Sequence, residues 1–278
     1  MKGVPLVLYL IALLCACSSV PTPALRTQQA LELAQYAHWQ PLVLDTSSFR
    51  LQAFRPEQWQ ADETLTLYIE GDGLAWLTSS QPSADPTPTN PLGLRLALAQ
   101  PDGNAAYLAR PCQFLADQPN CQRRYWTDAR FAEDVVVVMD QAVEQLKVQA
   151  RARELVLVGY SGGAAVALLL AARRDDVRQV VTVAGNLDHA AWTTHHKVRP
   201  LQRSLNPADW RQVLIGLEQV HLVGESDRIT PPELARQYIA GYPPTAPQRL
   251  RVVPGHDHAC CWEQGWPAVW RELSSERR

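Results

Sequence analysis

The chain has almost no excess charge of either sign. Its 278 residues hold 26 Lys and Arg against 28 Asp and Glu, a formal net charge of −2. Without a basic field there is no electrostatic footprint for nucleic acid, and no such partner is expected. There is no internal repeat and no long low-complexity tract, which sets aside solenoids and disordered chains. No apolar run reaches the ~20 residues that a membrane-spanning helix needs. The six cysteines lack C-x-x-C spacing, so no zinc site is expected from them. His256, Asp257 and His258 have no third ligand cluster to join, so no metal and no organic cofactor is expected.

The first residues read as a secretion signal. Lys2 gives a short positive start, and Val4 to Leu14 is apolar but too short to span a bilayer. The segment ends in Leu14-Cys15-Ala16-Cys17-Ser18-Ser19. This resembles a bacterial lipobox, matched at Leu14, Ala16 and Cys17. The resemblance implies a signal peptide over 1–16 and a lipid on Cys17. Ser18 in place of an aspartate implies the outer membrane of a bacterial cell envelope, facing the periplasm. Residues 17–26 are then a lipidated N-terminus and tether, and 27–278 a single domain. An exported chain meets oxidising conditions, so disulfides are expected. Cys112 and Cys121 flank a short polar loop and are the first choice for a bridge. Cys260 and Cys261 are a vicinal pair or free, and bridges between the two regions stay open.

What the chain does have is alternation. Gln28 to Trp39 reads as an amphipathic helix with Thr27 as cap. Phe49–Phe54, Thr64–Ile69 and Asn104–Leu108 read as strands. Asp128 to Gln149 has the length of a helix, although Val135 to Val138 favour a strand locally. Leu155–Val158 is a buried strand, followed by a helix to about Arg173. Strands at Val180–Ala184, Val220–Val223 and Leu250–Val253 alternate with helices at Pro232–Ala240 and Trp266–Leu273. Apolar strands alternating with helices predict an α/β fold: a mostly parallel sheet covered on both faces.

Between one strand and its helix stands Gly159-Tyr160-Ser161-Gly162-Gly163. A G-x-S-x-G turn in this context exposes the serine hydroxyl and aims the next N–H, that of Gly162, at whatever the serine attacks. Serine needs a base, and the base needs an orienting acid. Gly224-Glu225-Ser226-Asp227 follows a later strand, and Pro254-Gly255-His256-Asp257-His258 follows the last one.

The chain order Ser, Asp, His resembles the α/β-hydrolase superfamily, and more narrowly bacterial lipoprotein-type hydrolases of undefined substrate. The likeness runs from about Thr64 to the C-terminus, on GYSGG, GESDRITPP and PGHDH. It implies Ser161 as nucleophile, Asp227 as acid and His258 as base, with His256 the rival base and Asp188 the rival acid. The second oxyanion donor falls on Glu70-Gly71-Asp72-Gly73, at the N–H of Asp72 or of Gly73, with the Asp72 carboxylate bonding its own loop. Leu74–Leu92 should lie near the site mouth, and the region from Arg110 to Phe131 could form a stapled lid. The resemblance implies carboxylic-ester hydrolysis of a small acyl substrate through an acyl-enzyme. The alternatives are an acyltransferase or peptidase using the same residues, and a non-catalytic envelope binding protein on this fold. The oligomeric state is not legible.

Overall fold

The computed structural model describes residues 20–276. The signal segment and the Cys17 lipidation position lie outside the described residues. Eight strands form one sheet: β1 (Trp39–Asp45), β2 (Arg50–Pro56), β3 (Thr64–Ile69), β4 (Asn104–Leu108), β5 (Glu154–Tyr160), β6 (Val177–Val183), β7 (Glu218–Gly224) and β8 (Gln248–Val253). Their order is β1-β2-β4-β3-β5-β6-β7-β8. β1, β2 and β4 pair antiparallel, and every pairing from β4 to β8 is parallel. Apart from the edge strand β8, the parallel strands are buried on both faces, and β5 accordingly carries the unbroken run Leu155-Val156-Leu157-Val158.

Among the described residues there are seven α-helices: α1 (Pro23–Tyr36), α2 (Leu92–Leu98), α3 (Glu133–Ala150), α4 (Gly162–Ala171), α5 (His189–His195), α6 (Pro232–Ile239) and α7 (Trp262–Glu276). α3, α4 and α6 pack into one core, with α4 buried at every residue. α1, α2 and α7 pack into the other. The strand order reverses beside β3: the chain leaves β3 for β4 on one side, and β5 pairs with β3 on the other. Ligands in open α/β sheets sit at such a switch point, outside the carboxyl ends of the strands. Here that places the loop after β3 against the turn after β5.

Several elements depart from the sequence reading. α1 begins at Pro23, and Thr22, not Thr27, is its cap, accepting from the Leu25 N–H. Residues 23–26 therefore belong to the folded body rather than to a tether. Arg26 is buried, donates to the Thr87 carbonyl and pairs with Asp85. β1 escaped notice because Pro41 interrupts it. An edge strand tolerates proline because one of its sides has no ladder to complete. Pro91 holds the cap position of α2, and the Asn90 side chain accepts from Arg95 Nε at 2.7 Å. α3 starts at Glu133, five residues later than expected. Its valines are helical because Val135, Val136 and Val138 bury against the core, and packing overrides their local preference.

His221 and Glu70 are both enclosed in the sheet layer. His221, in β7, has Nδ1 2.9 Å from Thr182 Oγ1. Burial pushes its imidazole from 6.5 down to about 3. Glu70, just after β3, accepts from the N–H groups of Gly71 and Gly93 and from the Tyr107 hydroxyl. Burial nonetheless pushes its carboxyl from 4.5 up to about 7.

These groups act on stability in opposite directions. Below 6.5 the unfolded chain takes up a proton at His221 that the folded chain refuses, so stability is lost as pH falls toward 3. Between 4.5 and 7 the folded chain holds a proton at Glu70 that the unfolded chain releases, so stability is lost as pH rises through that window. Urea midpoints should therefore show Glu70→Gln gaining on wild type as pH goes from about 5 to about 8. His221→Asn should gain on it as pH goes from about 6 to about 4. Offsets that stay constant across pH would contradict both assignments.

Candidate active site

β5 runs into α4 with one residue between them, Ser161. The turn is so tight that Ser161 takes φ 51° and ψ −119°. That region is costly for a residue with a Cβ, and only a surrounding that over-determines it keeps it there. The glycines supply that surrounding. A Cβ on Gly163 would lie 2.3 Å from the Ile69 carbonyl oxygen, so the first turn of α4 presses directly on the end of β3. A Cβ on Gly162 would lie 2.0 Å from Asp72 Oδ1, so the loop after β3 presses on the elbow itself.

The turns after β7 and β8 bring Asp227 and His258 to the serine. The Ser161 hydroxyl lies 3.0 Å from His258 Nε2, and His258 Nδ1 lies 2.9 Å from Asp227 Oδ2. An ionised Asp227 accepts the Nδ1 proton, which leaves Nε2 free to accept from Ser161. Asp227 Oδ1 also accepts from the N–H groups of Ile229 and Thr230, each at 2.8 Å, and the Thr230 hydroxyl lies 2.9 Å from Oδ2. Burial pushes the Asp227 carboxyl up, but the bonds from His258 and Thr230 outweigh it and hold it below its ordinary value. Thr230 went unassigned in the sequence. Its signal was an aspartate three residues before a hydroxyl in a Pro-flanked turn.

The rivals are elsewhere. His256 turns its Nδ1 to the Pro254 carbonyl and its ring to Trp262. Asp188 caps α5 through the N–H groups of Ala190 and Ala191.

The loop Glu70–Gly73 crosses above the elbow. Among the described hydrogen bonds, the N–H groups of Asp72 and Gly162 have no acceptor. The Asp72 carboxylate does not bond its own loop, contrary to expectation. It pairs with Arg130 Nη1 and lies 3.5 Å from Arg110 Nη1. Two guanidiniums neutralise a carboxylate that would otherwise repel an oxyanion. Arg110 is enclosed and rests on the Phe131 ring, 5.2 Å from its centroid. Burial lowers its pKa to about 10, and Asp72 opposes the fall. Glu70 points away, into the interior described above.

The region from Arg110 to Phe131 is not a lid. Cys112, Gln113, Tyr125 and Trp126 are buried, and the segment packs beside the loop after β3. Cys112 and Cys121 are bridged, and so are Cys260 and Cys261. A cleft of about 420 Å³ opens over Ser161, lined by Trp76, Arg130, Trp192 and Ile229 among others. Trp76 belongs to the segment expected at the mouth. Trp126, Trp262 and Trp266 fill core positions instead. A larger hollow, about 590 Å³, lies at the opposite end of the strands against Thr64, Asn104 and Arg178, away from Ser161.

The strain at Ser161 is measurable without a substrate. Glycine normally weakens a chain relative to alanine, but here it relieves a conformation that alanine cannot. Ser161→Gly should be more stable than Ser161→Ala by about 1 kcal/mol in urea unfolding. The usual order, alanine above glycine, would mean that the elbow is unstrained.

No family model matches the chain, and no curated protein matches its sequence. Solved structures do resemble it. Est1E from Butyrivibrio proteoclasticus superposes with a TM-score of 0.60 at 13% identity, covering 85% of this chain and 98% of that one. An alpha-beta serine hydrolase homologue from Coxiella burnetii gives 0.58 at 14%, covering 85% and 96%. An esterase of Pyrococcus furiosus gives 0.58 at 14%, covering 86% and 89%. At such identities the likeness speaks for architecture. With the mostly parallel eight-stranded sheet and its strand order, it establishes that the chain has the α/β-hydrolase fold.

Proposed function

We propose that the protein is a serine hydrolase that cleaves carboxylic esters through an acyl-enzyme on Ser161. One observation carries this reading: the continuous line from Asp227 through His258 to the Ser161 hydroxyl, at 2.9 and 3.0 Å. Ser161 attacks the ester carbonyl while His258 Nε2 takes its proton. The carbonyl oxygen becomes an oxyanion facing the N–H groups of Gly162 and Asp72. His258 then returns the proton to the leaving alcohol. A water repeats the cycle on the acyl-enzyme and frees the acid. Asp227, held ionised by its bonds, keeps the imidazole in one tautomer and offsets its positive charge.

Ser161 and His258 are half-buried rather than sealed, so water reaches the acyl-enzyme. That favours hydrolysis over acyl transfer. Trp76, Trp192 and Ile229 in the cleft wall suit an apolar acyl group. The N-terminal pattern supports an exported protein anchored by a lipid on Cys17, at the outer membrane of a bacterial envelope.

A fluorophosphonate probe and p-nitrophenyl butyrate test the reading on purified protein. Labelling should vanish in Ser161→Ala. Ester turnover should fall by roughly 10³-fold or more in His258→Ala and stay near wild type in His256→Ala. A folded wild type that neither labels nor turns over would point instead to a binding protein.

A further inference from the structure

We propose that Gln113 is a positioning residue of this site, which aims the Asp72 N–H at the oxyanion by holding the carbonyl of the same peptide. The inference rests on the reading of Ser161 as nucleophile. A trans peptide is planar, and its C=O and N–H point in opposite directions. Whatever fixes the Gly71 carbonyl therefore fixes the Asp72 N–H. Gln113 Nε2 donates to the Gly71 oxygen at 2.9 Å, and no other described hydrogen bond reaches that oxygen.

Gln113 is itself held. It is 1% exposed. Its Oε1 accepts from the Arg110 N–H at 3.0 Å, and its own N–H donates to the Arg110 carbonyl at 3.1 Å. An N–H on one side and a carbonyl on the other leave the amide one orientation. The bridge between Cys112 and Cys121 closes the loop that carries it. The residue whose carbonyl it grips lies against Ser161: a Cβ on Gly71 would lie 3.1 Å from Ser161 Cβ.

The loop needs an external hold. A flip of the Gly71–Asp72 peptide turns ψ of residue 71 and φ of residue 72, and glycine at 71 resists neither sign. The neighbouring peptide is tied separately, through the Gly71 N–H to Glu70 Oε1 at 2.9 Å. The Asp72 carboxylate is tied to Arg130. Among the described hydrogen bonds, only that from Gln113 acts on the peptide that carries the donor. A Cβ on Gly73 would lie 2.8 Å from Nε2, so the amide also lies close against the loop at Gly73.

Gln113→Met keeps the volume and removes the donor. With p-nitrophenyl butyrate, kcat should fall about 10- to 100-fold, with KM within about twofold of wild type. Phenylboronic acid forms a tetrahedral adduct on the serine, and its inhibition constant should rise by the same factor as kcat falls. A loss of packing alone would not link these two quantities. Gln113→Glu keeps the acceptor for the Arg110 N–H while losing the donor, and serves if Gln113→Met does not fold. Amide exchange at Asp72, which needs no turnover, should quicken in either variant. Unchanged kcat, or a fall in kcat without weaker boronate binding, overturns the inference while leaving Ser161 as nucleophile. A wild type that hydrolyses nothing overturns that nucleophile reading instead, and exchange at Asp72 then decides whether Gln113 holds the peptide.

Discussion

The structure depends on one backbone constraint: a strand must become a helix across a single residue that is not glycine. The energy of that turn is not recovered within the turn. It is met by close packing on every side, from the end of β3 below Gly163 and from the loop after β3 against Gly162. The requirement for close approach explains why side chains are missing there. It also explains the sheet order. A strand paired directly with β5 brings its following loop beside the elbow, and β3 is one of the two such strands. The proposed nucleophile and the proposed second oxyanion donor are thus fixed together by one strand pairing, at the point where the order of the sheet reverses.

Electrostatics around the elbow follow a similar logic of separation. Two acidic residues, Glu70 and Asp72, flank Gly71, and a negative charge develops nearby in the proposed chemistry. Glu70 is sent inward, where Tyr107 and two backbone N–H groups receive it. Asp72 stays beside the elbow but is matched by Arg110 and Arg130. Arg110 carries buried nitrogens without partners, so the cluster costs desolvation that its ion pairs only partly offset. Such a cluster adds little to stability and much to where the loop sits. That is the exchange expected next to a reactive group rather than in a structural core.

The sequence carried the middle of the sheet plainly. Thr64–Ile69 and Asn104–Leu108 coincide with β3 and β4, because a strand buried on both faces has an unmistakable composition. GYSGG, Asp227 and His258 were legible because their spacing from strand ends repeats a mechanical need. His256 and His258 could not be separated on pattern alone; the geometry separates them by turning His256 toward Trp262. The edge strand β1, the short α2 and α5, and the start of α3 were illegible. Their stability comes from neighbours distant in sequence. Arg130 and Gln113 were hidden for the same reason. Each acts by touching one atom of a loop that the chain reaches many residues away, and no local pattern marks such a contact.

The order of the parts along the chain has a consequence for biosynthesis. Ser161 follows β5, while His258 follows β8, the last strand and an edge of the sheet. A ribosome delivers Ser161 about a hundred residues before His258, which at typical elongation speeds is several seconds or more. Throughout that interval the elbow holds an alcohol without the imidazole that lies beside it in the finished fold. On the proposed reading, a chain that still lacks its last strand cannot attack esters. Reactivity would then report on a finished fold.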